Sequence, residues 1–184
     1  MSWTFVLLDS VGAQPWRNGG GITRELLAWP SVEEWTVRIS VADVTRAGPF
    51  SSFPGVQRWF AVLSGEGVEL TVDAAVRRLT PADPAFAFGG DATVECRLLG
   101  GATLDLNLMV KSRPARMRRV SGTWSERVGR QALVAVFANA SDVSISCDGL
   151  TTPLARGMLA WRMVDSQTRI QLSGGDAIWM EVES

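Results

Sequence analysis

The chain has 184 residues, of which 46% are hydrophobic and 20% charged, and a formal net charge of −1 at pH 7. This length supports one large domain or two small ones with real cores, while the near-neutral charge argues against nucleic acid or acidic membranes as partners. The sequence contains no histidine, which removes the usual general base and the commonest transition-metal ligand. Metal-dependent and triad catalysis are therefore not expected.

The first residues predict a strand and carry no targeting signal. Residues 3–8 read as a strand, and the start of the chain lacks the basic and cleavage features of a signal peptide. No apolar run approaches the roughly eighteen residues that a membrane span needs, so a cytoplasmic location is expected. Cys96 and Cys147 each lie in an apolar, alternating segment, which predicts two buried, reduced thiols.

Residues 16–26 form the most distinctive stretch. Three consecutive glycines begin at Gly19, and their missing Cβ atoms let a ligand or another strand approach the main chain closely. No Gly-Lys-Ser/Thr follows, so a phosphate loop is rejected. Thr23 and Glu25 alternate along the strand that comes next and share one of its faces. A ligand site and a plain turn, with Trp16 covering the core and Glu25 solvated, both remain open.

A regular strand and a stiff loop come next. Residues 35–43 alternate strictly, which places Arg38 and Ser40 on one side and apolar residues on the other. Such an arginine could reach into a cavity to hold a carboxylate or could face water. The loop at residues 48–55 has two prolines that restrict its backbone and two phenylalanines that anchor it. Its composition predicts a packed rim rather than a flexible linker.

Short alternating segments occupy the rest of the first half. Predicted strands cover residues 58–63, 68–73, 84–88, 93–98 and 103–109, separated by glycine- and proline-containing turns. This spacing predicts an antiparallel sandwich or barrel. In the last of these strands, Asp105 and Asn107 share one face, which suits either the inside of a small polar cavity or an exposed surface.

The second half repeats the pattern of the first. Residues 70–73 match 143–146, and residues 96–101 match 170–175 with a nearly constant offset. The predicted division is an N-terminal β unit at 1–110 that carries the pocket and a degenerate C-terminal β unit at 111–184, together forming one compact body. Opposite Asp105 and Asn107, the second copy has Trp179 and Glu181, so a binding site is expected mainly in the first half.

Five motifs occur in one order and resemble the successive signatures of the HutD/Ves family. They are Pro-Trp-Arg-Asn-Gly-Gly-Gly-Ile-Thr-Arg-Glu at 15–25, Arg-Ile-Ser-Val-Ala at 38–42, Gly-Pro-Phe-Ser-Ser-Phe-Pro-Gly at 48–55, Phe-Gly-Gly-Asp at 88–91 and Asp-Leu-Asn-Leu-Met at 105–109. The resemblance covers roughly residues 3–111, and beyond them only the general β repeat is shared.

This resemblance implies an all-β bicupin fold, with two related antiparallel β-barrel or jelly-roll units in one small cytoplasmic bacterial protein. It also implies no established catalytic activity. The HutD branch is linked to histidine breakdown, through binding of a small anionic compound such as urocanate or formylglutamate that limits flux. The Ves branch is associated instead with cold or stress response, and the sequence leaves both branches open.

The leading hypothesis is a metal-free, small-molecule-binding protein with a regulatory role. Many cupins hold a metal with histidines and a glutamate, and this chain has no histidine, so no metal or other cofactor and no catalytic residue is expected. Arg38 or Arg58 is the expected charge partner of a small carboxylate, with Glu25 and Asp105 orienting the arginine or neutralising excess charge. The predicted ligand-binding residues are Trp16, Asn18, Gly19, Gly20, Thr23, Glu25, Arg38, Ser40, Ser51, Phe53, Arg58, Asp105 and Asn107.

Two other hypotheses belong to different classes of function. Glu25 and Asp105 could serve as acid and base in an isomerase or hydrolase acting on a small metabolite, if their environments pull their pKa values apart. Alternatively, the second half, with Trp161 and Trp179, could offer an interaction surface to a partner or to a second copy in a homodimer.

Overall fold

A computed structural model describes residues 2–184, and these residues fold almost entirely into β-strands. One short 3-10 turn, Leu8–Ser10, is the only helical segment in that part of the chain. The strands are β1 (Thr4–Leu7), β2 (Gln14–Pro15), β3 (Gly21–Trp29), β4 (Val37–Val44), β5 (Gly48–Pro49), β6 (Val56–Ser64), β7 (Val68–Val72), β8 (Ala75–Leu79), β9 (Phe86–Gly89), β10 (Val94–Leu98), β11 (Thr103–Lys111), β12 (Ala115–Val120), β13 (Trp124–Arg127), β14 (Ala132–Ala138), β15 (Val143–Cys147), β16 (Leu150–Leu154), β17 (Met158–Val164), β18 (Arg169–Gly174) and β19 (Ala177–Glu183).

The contacts divide the chain into two compact units. The N-terminal unit comprises residues 11–112, and the C-terminal unit comprises residues 2–10 together with 113–184. The N-terminal unit has a six-stranded sheet in the order β2-β3-β4-β11-β6-β9 and a four-stranded sheet in the order β5-β10-β7-β8. The C-terminal unit has a five-stranded sheet, β1-β17-β14-β19-β12, and a four-stranded sheet, β13-β18-β15-β16. Neighbouring strands pair antiparallel, so the predicted all-β, antiparallel class is confirmed.

The repeat inferred from the sequence reappears as a repeated strand order. The run β4-β11-β6-β9 corresponds to β12-β19-β14-β17, and β5-β10-β7-β8 corresponds to β13-β18-β15-β16. The units differ at opposite edges of the larger sheet: β2 and β3 extend the N-terminal unit beside β4, and β1 extends the C-terminal unit beside β17, the counterpart of β9. Because Thr4 pairs with Trp161, β1 lies with the second repeat, whereas the sequence division grouped it with residues 1–110.

The strand expected at residues 84–88 is observed as β9, but the hairpin strand before it, β8, was not predicted. The side chains of β8 are mostly exposed, so the strand lacks the apolar alternation that marks the other strands. Its turn contains no glycine: Asp73 and Ala74 adopt φ values of 45° and 72°. Left-handed residues at both central positions match the twist of a tight hairpin, and Asp tolerates this region better than most residues.

Each unit is filled by the inward side chains of its two sheets. Leu70, Phe60 and Cys96 belong to the buried cluster of the N-terminal unit, and Trp179 and Cys147 to that of the C-terminal unit. Both cysteines are buried and free, as predicted. Within residues 2–184, no helix is long and apolar enough to span a bilayer.

Candidate ligand-binding site

A cavity of about 720 Å³ lies in the N-terminal unit, within the size range of pockets for small metabolites. Its wall is built by the inner face of the six-stranded sheet and by the segments 14–18 and 49–53. The lining residues are Gln14, Pro15, Trp16, Arg17, Asn18, Thr23, Arg38, Ser40, Ala42, Val44, Pro49, Phe50, Ser51, Phe53, Arg58, Phe60, Asn107 and Met109.

The register of three neighbouring strands brings both candidate arginines to this wall. Arg38 on β4 and Arg58 on β6 both pair with Met109 on the central strand β11. Strands lie about 4.8 Å apart, so the two arginine Cα atoms are separated by about 10 Å on one face of the sheet. Ser40 and Asn107 pair in the adjacent row. The sequence left open which arginine points inward, and the structure shows that both line the cavity.

Arg58 is a buried cation without a carboxylate partner among the described residues. Only 5% of the surface of Arg58 is exposed to solvent. Nη1 donates to the Ser51 carbonyl oxygen and Nη2 to Asn107 Oδ1, each at 3.3 Å, while the buried Nε has no hydrogen-bond partner. These contacts leave the positive charge uncompensated, which is costly in a protein interior.

Aromatic rings enclose the same guanidinium group. Its central carbon lies 5.4 Å, 5.6 Å and 5.0 Å from the ring centroids of Phe50, Phe53 and Phe88. The faces of these rings attract a cation, but they cannot replace a counter-ion. Burial, together with the nearby charge of Arg38, lowers the pKa of Arg58 to about 10. Arg58 therefore remains charged at neutral pH, in surroundings that favour the approach of an anion.

Arg38 differs from Arg58 because it has an internal partner. Its Nε donates to Glu25 Oε2 at 2.5 Å, and both side chains are about one-fifth exposed. A register shift in the β3–β4 ladder between Glu25 and Leu27 accompanies this contact. Such a bulge re-aims side chains on the bulged strand. Glu25 does not line the cavity but holds an arginine that does.

The glycine stretch serves backbone packing. A Cβ on Gly21 would lie 2.3 Å from the Asp43 carbonyl oxygen, so only glycine lets β3 start this close to β4. The Gly20 carbonyl oxygen accepts hydrogen bonds from the Thr45 and Arg46 backbone N–H groups. Gly19 and Gly20, predicted as ligand contacts, do not line the cavity because their main chain is engaged in this turn. Glycine was expected to allow close approach of a ligand or of another strand, and at Gly21 it is another strand that comes close.

Trp16, held by this turn, forms part of an aromatic wall. Its Nε1 donates to Thr23 Oγ1 at 2.7 Å, and its ring meets Phe50 edge-on with centroids 6.2 Å apart. Asn18 uses its Oδ1 to accept from the Gly20 N–H at 2.9 Å, an Asx-type turn that leaves the amide nitrogen as a donor at the cavity. The wall thus combines flat apolar surface with a few polar groups.

Asp105 is buried away from the cavity wall. It is 0% exposed; its Oδ2 accepts from Thr103 Oγ1 at 2.8 Å, and its Oδ1 has no partner. Burial raises the pKa of Asp105 to about 7, the negative charge of Asp43 adds to the rise, and the Thr103 hydrogen bond opposes it. Neither Asp105 nor Glu25 lines the cavity, so the geometry gives no support to this pair as acid and base on one bound molecule.

The donor set of a cupin metal centre is also missing. The sequence has no histidine, and none of the cavity-lining residues is an aspartate or glutamate. The residues that are present offer guanidinium, amide and hydroxyl groups, which suit an anion rather than a metal ion. They do not fit a resident metal.

Most of the predicted site residues line the cavity: Trp16, Asn18, Thr23, Arg38, Ser40, Ser51, Phe53, Arg58 and Asn107. Four others do not: Gly19, Gly20, Glu25 and Asp105. Several lining residues were missed, although strand alternation alone could have found Ala42 and Val44 beside Ser40, Met109 beside Asn107, and Phe60 beside Arg58. Gln14, Arg17 and Phe50 carry no comparable periodic signal.

The matching place in the C-terminal unit has a different chemistry. Asn107 pairs with Ser40 and Phe60, and by the same strand order Glu181 pairs with Arg116 and Val134. Arg116 Nη2 donates to Glu181 Oε2 at 2.7 Å and lies 3.5 Å from Glu126. Trp179, which corresponds to Asp105, is fully buried, with its ring 4.9 Å from Trp124. This unit carries its own carboxylate where the first unit has an amide.

Fold and cavity define a two-unit, cupin-like β protein whose candidate site is built from arginines and aromatic residues. Salicylate 1,2-dioxygenase from Pseudaminobacter salicylatoxidans shares this fold with a TM-score of 0.63 over 99% of this chain and 84% of that chain, at 8% identity. The HutD family model matches residues 9–180. The chain belongs to the HutD family.

Relatives carry both names that the sequence motifs suggested. A Pseudomonas putida protein described as an uncharacterized 21.2 kDa protein in the hutC 3' region is 41% identical over 73% of each chain. Protein Ves of Cronobacter sakazakii is 31% identical over 91% of each chain. The structure of HutD from Pseudomonas fluorescens SBW25, in a formate condition, superposes with a TM-score of 0.85 at 33% identity, covering 99% of this chain and 98% of that chain.

Proposed function

We propose that the N-terminal unit binds a small carboxylate and that this binding modulates histidine utilisation in the cytoplasm. One observation carries the proposal: Arg58 is buried in the cavity wall with no carboxylate beside it. A bound anion would supply the missing counter-charge beside the guanidinium group. The charge of the site thus favours an anion over water.

The groups around Arg58 suit a carboxylate attached to a flat or apolar body. Ser40, Asn107 and the Nη groups of Arg38 offer hydrogen-bond donors at the same wall. The rings of Trp16 and Phe50 offer an apolar surface for the rest of the molecule. Urocanate joins one carboxylate to a flat ring, and formylglutamate carries two carboxylates on a flexible, polar chain. The location of the Pseudomonas putida relative in the hutC 3' region supports these two compounds of histidine breakdown as the first choices.

The test is calorimetric titration of the purified protein with urocanate, formylglutamate and formate. We expect saturable binding of at least one compound and a loss of about 30-fold or more in Arg58→Gln, because truncating one side of a buried charge pair costs roughly 2–5 kcal/mol. Arg97→Gln is the matched control, since Arg97 lies in the same unit with a 77% exposed side chain. Circular dichroism would show that both variants fold.

Two results would overturn the proposal. One is the absence of saturable binding by all three compounds at millimolar concentration. The other is binding that survives unchanged in a folded Arg58→Gln variant, which would place the bound molecule elsewhere.

A further inference from the structure

Three arginines line the cavity, and two of them have no carboxylate partner among residues 2–184. Glu25 forms an ion pair with Arg38, whereas Arg58 and Arg17 take part in no ion pair in the described part of the chain. None of the lining residues is an aspartate or a glutamate. Arg17 and Arg58 are therefore both available to an anionic ligand.

The two available arginines lie at different depths. Arg58 is 5% exposed, whereas Arg17 is exposed to solvent. Arg58 lies in the row of the sheet that contains Arg38. The turn that carries Arg17 leads into β3 where Gly21 pairs with Val44, six residues further along β4. Six strand residues extend about 20 Å, so one arginine belongs to the buried end of the cavity and the other to its solvent end.

The backbone that carries Arg17 is held in place. The Gly19 N–H donates to the Trp16 carbonyl oxygen at 3.0 Å, which closes a turn with Arg17 and Asn18 at its centre. Asn18 Oδ1 accepts from the Gly20 N–H at 2.9 Å. The guanidinium group of Arg17 donates to no other described residue. A fixed backbone thus presents a cation whose donors are free for a ligand.

An apolar surface connects the two arginines. The ring centroid of Phe50 lies 5.4 Å from the central guanidinium carbon of Arg58 and 6.2 Å from the ring centroid of Trp16. Trp16 directly precedes Arg17 in the chain. This arrangement suits a molecule with an acid group at each end and a less polar body between them.

Resting on the proposed function, we propose that Arg17 holds a second acid group at the solvent end of the cavity, so that the site selects dicarboxylates over monocarboxylates. The first carboxylate pairs with Arg58, where burial strengthens the charge interaction. The second carboxylate pairs with Arg17 and stays partly hydrated, so it avoids the cost of a buried, uncompensated charge. Arg17 thus determines specificity, because it adds affinity only for a molecule with a second negative charge. Formylglutamate belongs to this class, and urocanate does not.

Pairs of probes that differ by one charge isolate the contribution of the second carboxylate. Glutarate, adipate, pimelate and formylglutamate are each titrated calorimetrically beside the monoamide of the same length, in which a neutral amide replaces one carboxylate. The native protein should bind at least one diacid about fivefold more tightly than its monoamide, as expected for one ion pair at a hydrated site. The preference should shrink as ionic strength rises from about 0.05 M to about 1 M, because salt screens exposed charges.

Arginine variants assign this preference to one side chain. In Arg17→Gln, each diacid and its monoamide should bind within about twofold of each other, with the monoamide near its native affinity. Arg17→Lys keeps a positive charge and should retain part of the preference. Arg46→Gln is the matched control and should keep the native ratio. Arg46 is also exposed, and its backbone N–H donates to the Gly20 carbonyl oxygen, but it does not line the cavity. Arg58→Gln should weaken both members of each pair.

The outcomes distinguish the role of Arg17 from the proposed function. Equal affinities for every diacid and its monoamide in the native protein, with Arg58-dependent binding intact, would overturn dicarboxylate selection and leave carboxylate binding standing. A preference that persists in a folded Arg17→Gln variant, or that disappears equally in Arg46→Gln, would overturn the role of Arg17. Binding of urocanate or formate without binding of any diacid would also overturn it. Failure of the native protein to bind any of these compounds would overturn both proposals.

Discussion

The two units share one strand order but carry different side chains at the same position of the central strand. In the N-terminal unit, Asn107 faces a buried Arg58 that has no counter-ion. In the C-terminal unit, the corresponding Glu181 accepts from Arg116 at 2.7 Å, so the pair is satisfied internally. In one unit the arginine is thus neutralised by a carboxylate side chain of the same unit. In the other unit the arginine has no such partner, and its charge could be balanced by an anionic ligand.

A second difference lies one row along the central strand. Trp179 fills the C-terminal interior with a large ring, where the N-terminal unit has the small, buried Asp105. Under the proposed function, the C-terminal interior serves stability and the N-terminal interior serves binding, and three variants test this division.

The largest expected effect is on stability, in Trp179→Ala. Removing a fully buried tryptophan from the C-terminal core should lower the free energy of unfolding by about 3–5 kcal/mol. Thermal and urea unfolding would measure the loss. Carboxylate affinity at temperatures where the variant is folded should stay within about twofold, because the cavity belongs to the other unit. A variant that loses binding while its folding is intact would break the division between the units.

The next effect depends on pH and concerns Asp105. An aspartate in the unfolded chain has a pKa near 3.9, and burial raises the native pKa of Asp105 to about 7. Below pH 4 both states are protonated. Between pH 4 and 7 the unfolded chain releases the proton while the native state keeps it, so stability falls as pH rises. At pH 8 nearly the full cost, roughly 4 kcal/mol, is present.

Asp105→Asn should remove this dependence. The neutral amide can still accept from Thr103 and cannot ionise, so unfolding midpoints measured from pH 4 to pH 8 should decline less steeply than those of the native protein. Matching slopes for the two proteins would mean that the buried carboxyl is not held protonated.

The third variant, Asn107→Glu, gives the N-terminal unit the carboxylate of its counterpart. A side chain that pairs with Arg58, as Glu181 pairs with Arg116, should compete with the ligand and weaken carboxylate binding about 100-fold, or about 2.7 kcal/mol. Asn107→Gln controls for side-chain size and should lose less than about tenfold. Native-like affinity in a folded Asn107→Glu would show that Arg58 does not hold the ligand.

Sequence periodicity was sufficient to assign residues to a strand face wherever apolar and polar side chains alternate regularly. Arg38 and Ser40 on β4 and Asn107 on β11 could be assigned to one face before their partners were known, and they meet at the cavity. The internal repeat likewise predicted two related β units, because each repeat conserves the alternation of the same central strands.

Other contacts of the candidate site depend on which strands become neighbours and in which register. The pattern of residues along a single segment does not specify either of these. Asp105 and Asn107 look alike in the sequence, but only Asn107 reaches the cavity. The ion pair of Glu25 with Arg38 lies beside a register shift that alternation cannot reveal. Gly21 meets the backbone of β4 at Asp43 rather than a ligand, because β4 passes directly beside it.

The position of β1 has a consequence for how the chain is made. At translation rates of about 5–20 residues per second, Thr4 leaves the ribosome roughly ten to thirty seconds before its partner Trp161. The strands of the N-terminal unit all lie within residues 11–112 and can pair during that interval. Phe5 and Leu7, meanwhile, sit on an unpaired strand, the kind of edge that other nascent chains can capture. Synthesis of the chain therefore leaves β1 without its partner until β17 has been made, and chaperone dependence should concentrate in that interval.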